Sequence, residues 1–323
     1  MKYFWADFMK RNLLWIISLG ISGIFLVLIF NQIESGKVLA YAANARPFPL
    51  VLALAVSFLA NCWLATVKWR YIVLRLGLPL SFREAFLVKM GSAPLKSLLP
   101  FRSGEVSRVI FLKRCRNFSA ARGTASILIE LFLNILIFLI FIMAGGIIFR
   151  ISLDGIIYII AGGLGTGFLI IIFAARTSPR RWVRLLLSKI PYPRLRGGLE
   201  TFFTLHRFFS FRQILILLLY SLIIQSGKLL TFYLIARSFE LALPPAVYFV
   251  ILPFSVLIST IPVTFLGIGL REGSLIELIP DYCSVTGAAV LGPAFIFTVV
   301  EYIFPALLGL FWTGKFTRKL LKG

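Results

Sequence analysis

Two short stretches of this sequence gather residue types that seldom sit in apolar chain. The first reads Pro100-Phe101-Arg102-Ser103-Gly104-Glu105-Val106-Ser107-Arg108. The second, shortly after Pro262, reads Gly267-Ile268-Gly269-Leu270-Arg271-Glu272-Gly273. Each brings proline, glycine, arginine and glutamate together, a set suited to holding a phosphate group. Arg102, Arg108 and Arg271 can offer forked hydrogen bonds to phosphate oxygens. Glycines such as Gly104, Gly267 and Gly269 let backbone approach a ligand closely. A helix starting after each glycine would turn free N–H groups toward an anion. Three roles fit Glu105 and Glu272: orienting the arginines, accepting an amine, or binding a proton. These eight residues (Arg102, Gly104, Glu105, Arg108, Gly267, Gly269, Arg271 and Glu272) are the expected substrate contacts.

Three further charges, Glu130, Lys228 and Glu301, fall well inside long apolar runs. A charge in the bilayer centre costs roughly 2.5–3.5 kcal/mol on insertion scales, so each needs a partner or a purpose. Internal ion pairing that merely holds helices together is the plainer explanation. The concentration of charge at the broken segments favours a polar cleft lined by Arg and Glu.

Other chemistry finds no support. Cys62, Cys115 and Cys283 form no CxxC pair, and His206 is the one histidine. There is no Ser/His/Asp grouping and no cluster with metal-ligand spacing, so neither an enzyme nor a metal or cofactor site is expected. Gly163-Leu164-Gly165-Thr166-Gly167 is glycine-rich but lies in an apolar run without a following GK[ST]. Helix packing explains it better than nucleotide binding.

The elements that must position these residues are set by hydropathy. Of 323 residues 59% are hydrophobic and only 14% charged, with a mean hydropathy of +0.95. Too few charges remain to coat a soluble surface. The apolar residues form runs over 13–30, 50–67, 124–149, 155–175, 213–236 and 286–312, each long enough to cross a hydrocarbon core of roughly 30 Å. The first is too long for a signal-peptide core, and the Ala40-Tyr41-Ala42 triplet lies too far beyond it, so a retained helix is expected. Regions 85–112 and 244–280 are apolar but broken by Lys89, Gly91, Pro94, Lys96, Pro100 and Gly104, and by Pro244, Pro245, Pro253, Pro262, Gly267, Gly269 and Gly273. Irregular backbone at membrane depth is tolerated only within protein or beside a wet cavity, which predicts two re-entrant segments. The expected fold class is an all-α integral membrane bundle of about six full transmembrane helices plus two re-entrant segments, six to eight membrane segments in all.

The 34 Lys and Arg against 12 Asp and Glu give a net charge of +22. In a membrane protein such an excess marks cytoplasmic loops, not nucleic-acid binding. The N-terminus, 68–84, 113–122, 176–212 and the C-terminal tail are basic and expected to be cytoplasmic; 31–48, 150–154 and 237–243 are expected outside. Residues 178–212 suit an amphipathic segment on anionic lipid. Trp63, Trp69 and Trp312 are expected to be interfacial anchors.

The two broken regions occupy matching places: span, span, re-entrant segment, span, twice over. An odd number of crossings per half turns the second half upside down. Residues 1–323 are therefore expected to form one domain of two inverted pseudo-repeats, about 1–150 and 151–323. In transporters built this way, substrates bind near the midplane at the broken segments.

The paired motifs, Pro100-x-Arg102-x-Gly104-Glu105-x-x-Arg108 and Gly267-x-Gly269-x-Arg271-Glu272, resemble those of the lysylphosphatidylglycerol synthase transmembrane (flippase-like, UPF0104) family, over nearly the whole chain in length and order. It departs after the first motif, where Glu130-Leu131-Phe132-Leu133-Asn134 stands in place of the family's Glu-Arg-x-x-Asp. The resemblance implies translocation of a lipid. In multidomain members this unit flips an aminoacylated phospholipid made by an attached soluble synthase; this sequence carries no such domain and is not expected to make that lipid itself. Stand-alone members are linked to varied lipids, hopanoid and polyprenyl-linked ones included. The leading expectation is a flippase of the cytoplasmic membrane moving a phospholipid or polyprenyl-linked headgroup through a polar cleft. Its expected partners are membrane lipids, phosphate-bearing ones foremost, with a separate lipid-modifying enzyme as a candidate. A membrane-embedded lipid-modifying transferase and a secondary transporter of a small anion are the alternatives.

Overall fold

A computed structural model of the chain describes residues 45–98, 104–151, 208–260, 264 and 267–322, together with 162, 163, 165, 196, 197 and 199. All regular structure among them is helical. Among the described residues four helices are long and apolar enough to cross a membrane: α1 (Pro47–Arg75), α5 (Ala120–Phe149), α6 (Phe211–Ser238) and α9 (Gly287–Leu320). They answer the apolar runs 50–67, 124–149, 213–236 and 286–312. The runs 13–30 and 155–175, and the basic segment 178–212 apart from residues 196, 197, 199 and 208–212, lie outside the described residues.

Between the spans lie short helices: α2 (Phe82–Gly91), α3 (Ala93–Leu98) and α4 (Val106–Arg116) in the first broken region, α7 (Val247–Ile258) and α8 (Leu270–Leu278) in the second. Local chemistry sets their limits. Ser81 caps α2 by accepting the Glu84 N–H at 3.2 Å. Asn117, with φ 49°, ends α4 in a left-handed turn. Pro47 opens α1, where its missing N–H costs nothing.

Both broken regions fold as hairpins that enter and leave at one end of the bundle. In the first, the carboxylate of Glu84 at the start of α2 pairs with the Arg116 guanidinium at the end of α4. The same end holds the α1–α2 turn, where the Leu76 carbonyl accepts from Arg122 Nη1 of α5 at 3.2 Å. It also holds the C-terminal part of α9, whose Lys319 carbonyl accepts from Cys115 Sγ at 3.4 Å. Arg75, Arg83, Lys113, Arg114, Arg116, Arg122, Lys315, Arg318 and Lys319 make it strongly basic.

The second hairpin belongs to the opposite end. Ala246 and Val250, at its start, pack with Ile151 beyond the end of α5 and with Tyr282 after α8. The Arg46–Glu240 ion pair and the bond from the Arg46 N–H to the Ser238 carbonyl (2.8 Å) join α1 to the end of α6 there. The hairpins thus point toward each other from opposite ends.

Two large apolar cores dominate the described part of the bundle. Trp69, Ile72, Phe111, Ile129, Leu217 and Phe316 belong to the one at the basic end. Ala53, Phe138, Phe232, Val247, Leu275 and Phe297 belong to the other. Asn61 on α1, Asn134 on α5, Ser221 and Gln225 on α6 and Glu301 on α9 fall between these two sets, so a polar layer divides the apolar interior. Outward, Val51, Leu59, Ile147, Ile148, Leu219, Ile223, Leu230 and Phe311 are exposed. That much apolar surface on the spans suits lipid, not water.

One boundary differs from the expected one. Residue 68 was expected to open a basic loop, but α1 continues to Arg75 and leaves Lys68 only 1% exposed inside the span. Trp69 differs likewise: it is fully buried, donates from Nε1 to Ser126 Oγ at 3.3 Å, and lies beneath the Arg108 guanidinium, so it is no interfacial anchor. Trp63 and Trp312 do sit at the outside, where both line a surface cleft with Phe82, Phe86 and Lys319.

Candidate functional site

The polar layer encloses a cavity of about 200 Å³ between the hairpin tips and the four spans. The first hairpin contributes Lys89, Ser92, Lys96, Glu105 and Arg108; the second contributes Ser259, Thr260, Thr264 and Gly267. The spans add Asn61 and Lys68, Glu130 and Asn134, Gln225 and Lys228, Glu301 and Tyr302. Lys68, Lys89, Lys96, Arg108 and Lys228 outnumber Glu105, Glu130 and Glu301 on its wall. With every group ionised, the lining is therefore cationic and attracts an anion.

Toward the basic end the charges interlock. Glu130 accepts from Lys89 Nζ at 2.7 Å and from Arg108 Nη1 at 2.9 Å, one cation on each oxygen. Arg108 Nη2 also lies 3.5 Å from Glu105 Oε1, which Lys96 Nζ approaches to 3.0 Å. Lys89 Nζ further donates to the Ala65 carbonyl at 2.8 Å. Lys68 Nζ donates to Asn134 Oδ1 at 2.7 Å and Ser221 Oγ at 3.3 Å, neutral acceptors that leave its charge uncompensated by direct contact. Buried charges survive only with such partners.

Toward the other end the lining is sparser. Glu301 Oε2 accepts from Asn61 Nδ2 at 2.7 Å and lies 4.0 Å from Lys228 Nζ. Asn61 and Glu301 both occupy π-helical turns, Phe58–Leu64 in α1 and Val299–Ile303 in α9. The extra residue in such a turn widens it and re-aims side chains, and π-turns recur at functional sites.

The structure separates the two motifs. Glu105 and Arg108 line the cavity. Arg271 and Glu272 do not: both are fully buried behind it. Arg271 Nη2 donates to Glu272 Oε1 at 2.8 Å and to Thr298 Oγ1 at 2.5 Å, and Thr298 in turn donates to Glu272. The Arg271 guanidinium stacks on the Tyr302 ring, 4.4 Å from its centroid. Tyr302 reaches the cavity wall, so it stands between Arg271 and the space an anion would fill. Arg102 lies outside the described residues.

The motif glycines serve chain-on-chain approach. A Cβ on Gly104 would fall on the backbone of Leu95 and Lys96, so glycine closes the tip of the first hairpin. Gly267, at φ 74°, leaves no room for a Cβ, which would come within 2.6 Å of the Ser259 Cβ. Gly269, at φ 91°, starts α8, and its N–H donates to Glu272 Oε2 at 2.8 Å. The protein's own carboxylate thus takes the place at this helix N-terminus where a ligand was expected. Among the described residues no group of three His, Cys, Asp or Glu side chains could hold a metal ion.

Lys68, Lys89, Lys96, Asn61, Asn134 and Gln225 were not among the expected site residues. A signal for several was present: Asn61 and Lys68, Glu130 and Asn134, and Gln225 and Lys228 recur three, four or seven residues apart in apolar helices, which aligns them on one face.

These features define an all-α integral membrane protein with a charged internal cavity. The family model for the Lysylphosphatidylglycerol synthase TM region matches residues 15–309, nearly the whole chain, and the protein belongs to that family. A search of curated proteins returns no match. Family and fold together make this a multi-pass membrane protein of lipid-related function.

Proposed function

We propose that the protein is a lipid translocase, a flippase that passes the phosphate-bearing headgroup of a membrane lipid through the cavity while the tails stay in the bilayer. The observation that carries this reading is the cationic excess of a mid-bundle cavity flanked by two hairpins from opposite ends. A phosphate diester brings one negative charge, which Lys68, Lys89, Lys96 and Arg108 favour by charge and by hydrogen bonding. The hairpins supply the broken backbone that lets a polar site exist at membrane depth. Nothing in the lining requires bond-making chemistry, and we read the protein as a carrier, not an enzyme. The excess of Lys and Arg at one end supports placing that end on the cytoplasmic side of the cell membrane.

The test is reconstitution into vesicles carrying a headgroup-labelled acidic phospholipid, with the fraction accessible to a membrane-impermeant quencher followed over time. Protein-containing vesicles are expected to equilibrate the two leaflets faster than empty ones, and Lys96→Ala to slow the exchange. Equal rates with and without protein would overturn the reading. Uptake of inorganic phosphate without lipid exchange would favour a small-anion transporter instead.

A further inference from the structure

The ion pairs and hydrogen bonds of the cavity leave several of its polar atoms without a partner. Gln225 is 1% exposed and lines the cavity, yet neither its amide nitrogen nor its amide oxygen has a hydrogen-bond partner among the described residues. The same holds for the hydroxyl of Thr264, 6% exposed at the second hairpin, and for Glu301 Oε1. Three lining side chains thus offer buried, unused hydrogen-bonding atoms to one space. Buried polar groups in native proteins are nearly always paired, so such a set marks a place where something else completes the bonding.

The placement of these atoms is informative. α1 runs toward the basic end and α6 away from it. On α1, Asn61 therefore lies farther from the basic end than Lys68; on α6, Gln225 and Lys228 lie farther from it than Ser221. Lys68 bonds to Ser221, whereas Asn61 bonds to Glu301. The cavity accordingly has a cation-rich part near Lys68, Lys89, Arg108 and Glu130. A second part, around Gln225 and Glu301, carries unused donors and acceptors, and Thr264 of the second hairpin offers another to the same cavity.

We infer that this second part is a subsite for a hydroxyl-bearing headgroup, a polyol or sugar joined to the phosphate held by the cationic part. A carboxamide offers two donors and an acceptor, and a threonine hydroxyl can do either. Glu301 Oε1, with Oε2 already engaged by Asn61, is an acceptor only while ionised and wants a donor. Hydroxyls both donate and accept, so a polyol satisfies all three groups, whereas an alkyl chain satisfies none. A site with buried polar groups rejects the analogue that cannot pair with them.

This inference rests on the lipid-phosphate reading above, and the test separates the two. The full chain is placed in nanodiscs of phosphatidylcholine doped with equal amounts of phosphatidylinositol and phosphatidylethanol. The latter is a phosphodiester whose headgroup has no hydroxyl. Lipid retained by the protein through detergent extraction is then quantified. Phosphatidylinositol is expected to be retained at least about tenfold over phosphatidylethanol. Gln225→Leu should bring that ratio toward one, chiefly by loss of phosphatidylinositol, and Thr264→Val, nearly isosteric, should lower it partway. Equal retention of both lipids by the native protein overturns the subsite, with water then filling it, and leaves the phosphate reading standing. Retention of neither lipid overturns both. Tighter binding of soluble inositol phosphate than of the lipid would overturn the lipid as the source of the ligand.

Discussion

Asn61 and Glu301, 240 residues apart in sequence, meet through a 2.7 Å hydrogen bond in the middle of the bundle, each in a π-helical turn. The bond ties α1 to α9 and holds one carboxylate oxygen while leaving the other unpaired. Removing the donor leaves a buried acidic group with only Lys228, 4.0 Å away. Asn61→Leu is expected to lower stability by about 1–3 kcal/mol, the usual penalty for a buried polar group that loses its partner. Thermal unfolding of purified protein in one detergent measures it. An unchanged midpoint would mean that Glu301 is solvated from the cavity.

Glu130 is the hub of the other part of the site, since Lys89 and Arg108 each take one of its oxygens. Glu130→Gln replaces a shared carboxylate with a neutral amide and leaves two buried cations side by side. Breaking a buried pair by removing one partner costs about 3–5 kcal/mol, so the variant is expected to unfold well below the native protein. Lys89→Met combined with Glu130→Gln should recover part of that loss, because the remaining cation, Arg108, still has the Glu105 carboxylate 3.5 Å away. A double-mutant cycle by thermal unfolding reads the coupling, and additive effects would contradict the shared-carboxylate geometry.

Much of this arrangement was legible in the sequence. Hydropathy located the four described spans because a bilayer demands long uncharged runs. Proline and glycine located both hairpins because they are disfavoured in helix interiors and accumulate where a span is broken. The site was only partly legible. Lys68 and Trp69 adjoin Arg70 and Arg75, so local composition read as a loop, and only the hydrogen bonds to Asn134, Ser221 and Ser126 show that the helix continues inward. The motifs look alike as strings, yet Arg108 lines the cavity and Arg271 is walled off by Tyr302. That difference lies in packing between segments far apart in the chain, which residue spacing does not encode.

The separation of the two arginines yields a contrast in function. Lys96 lines the cavity with its side chain 44% exposed, so Lys96→Ala should barely alter folding. It should weaken retention of an acidic phospholipid by about threefold, or about 0.7 kcal/mol. Arg271→Gln should do the reverse: a markedly lower unfolding midpoint, because Glu272 loses its cation, with unchanged lipid retention per folded molecule. Lipid quantification beside thermal unfolding for both variants checks this. Loss of retention in folded Arg271→Gln would place that residue at the ligand.

The glycines offer a test of hairpin geometry with an internal control. A methyl group at Gly104 would collide with the backbone of Leu95 and Lys96, which cannot swing aside as a flexible side chain can. Overpacking of this kind typically costs about 1–3 kcal/mol. Gly267→Ala adds the strain of φ 74° to the clash with Ser259 and should cost at least as much. Gly314, in α9, has nothing within 4 Å of where a Cβ would stand. There Gly314→Ala should be harmless or stabilise the helix by roughly 0.5–1 kcal/mol, since alanine loses less backbone entropy on folding. Unfolding midpoints of the three variants should therefore fall on both sides of the native value. Equal tolerance of alanine at all three positions would mean that the hairpin tips are not closed as tightly as these contacts require.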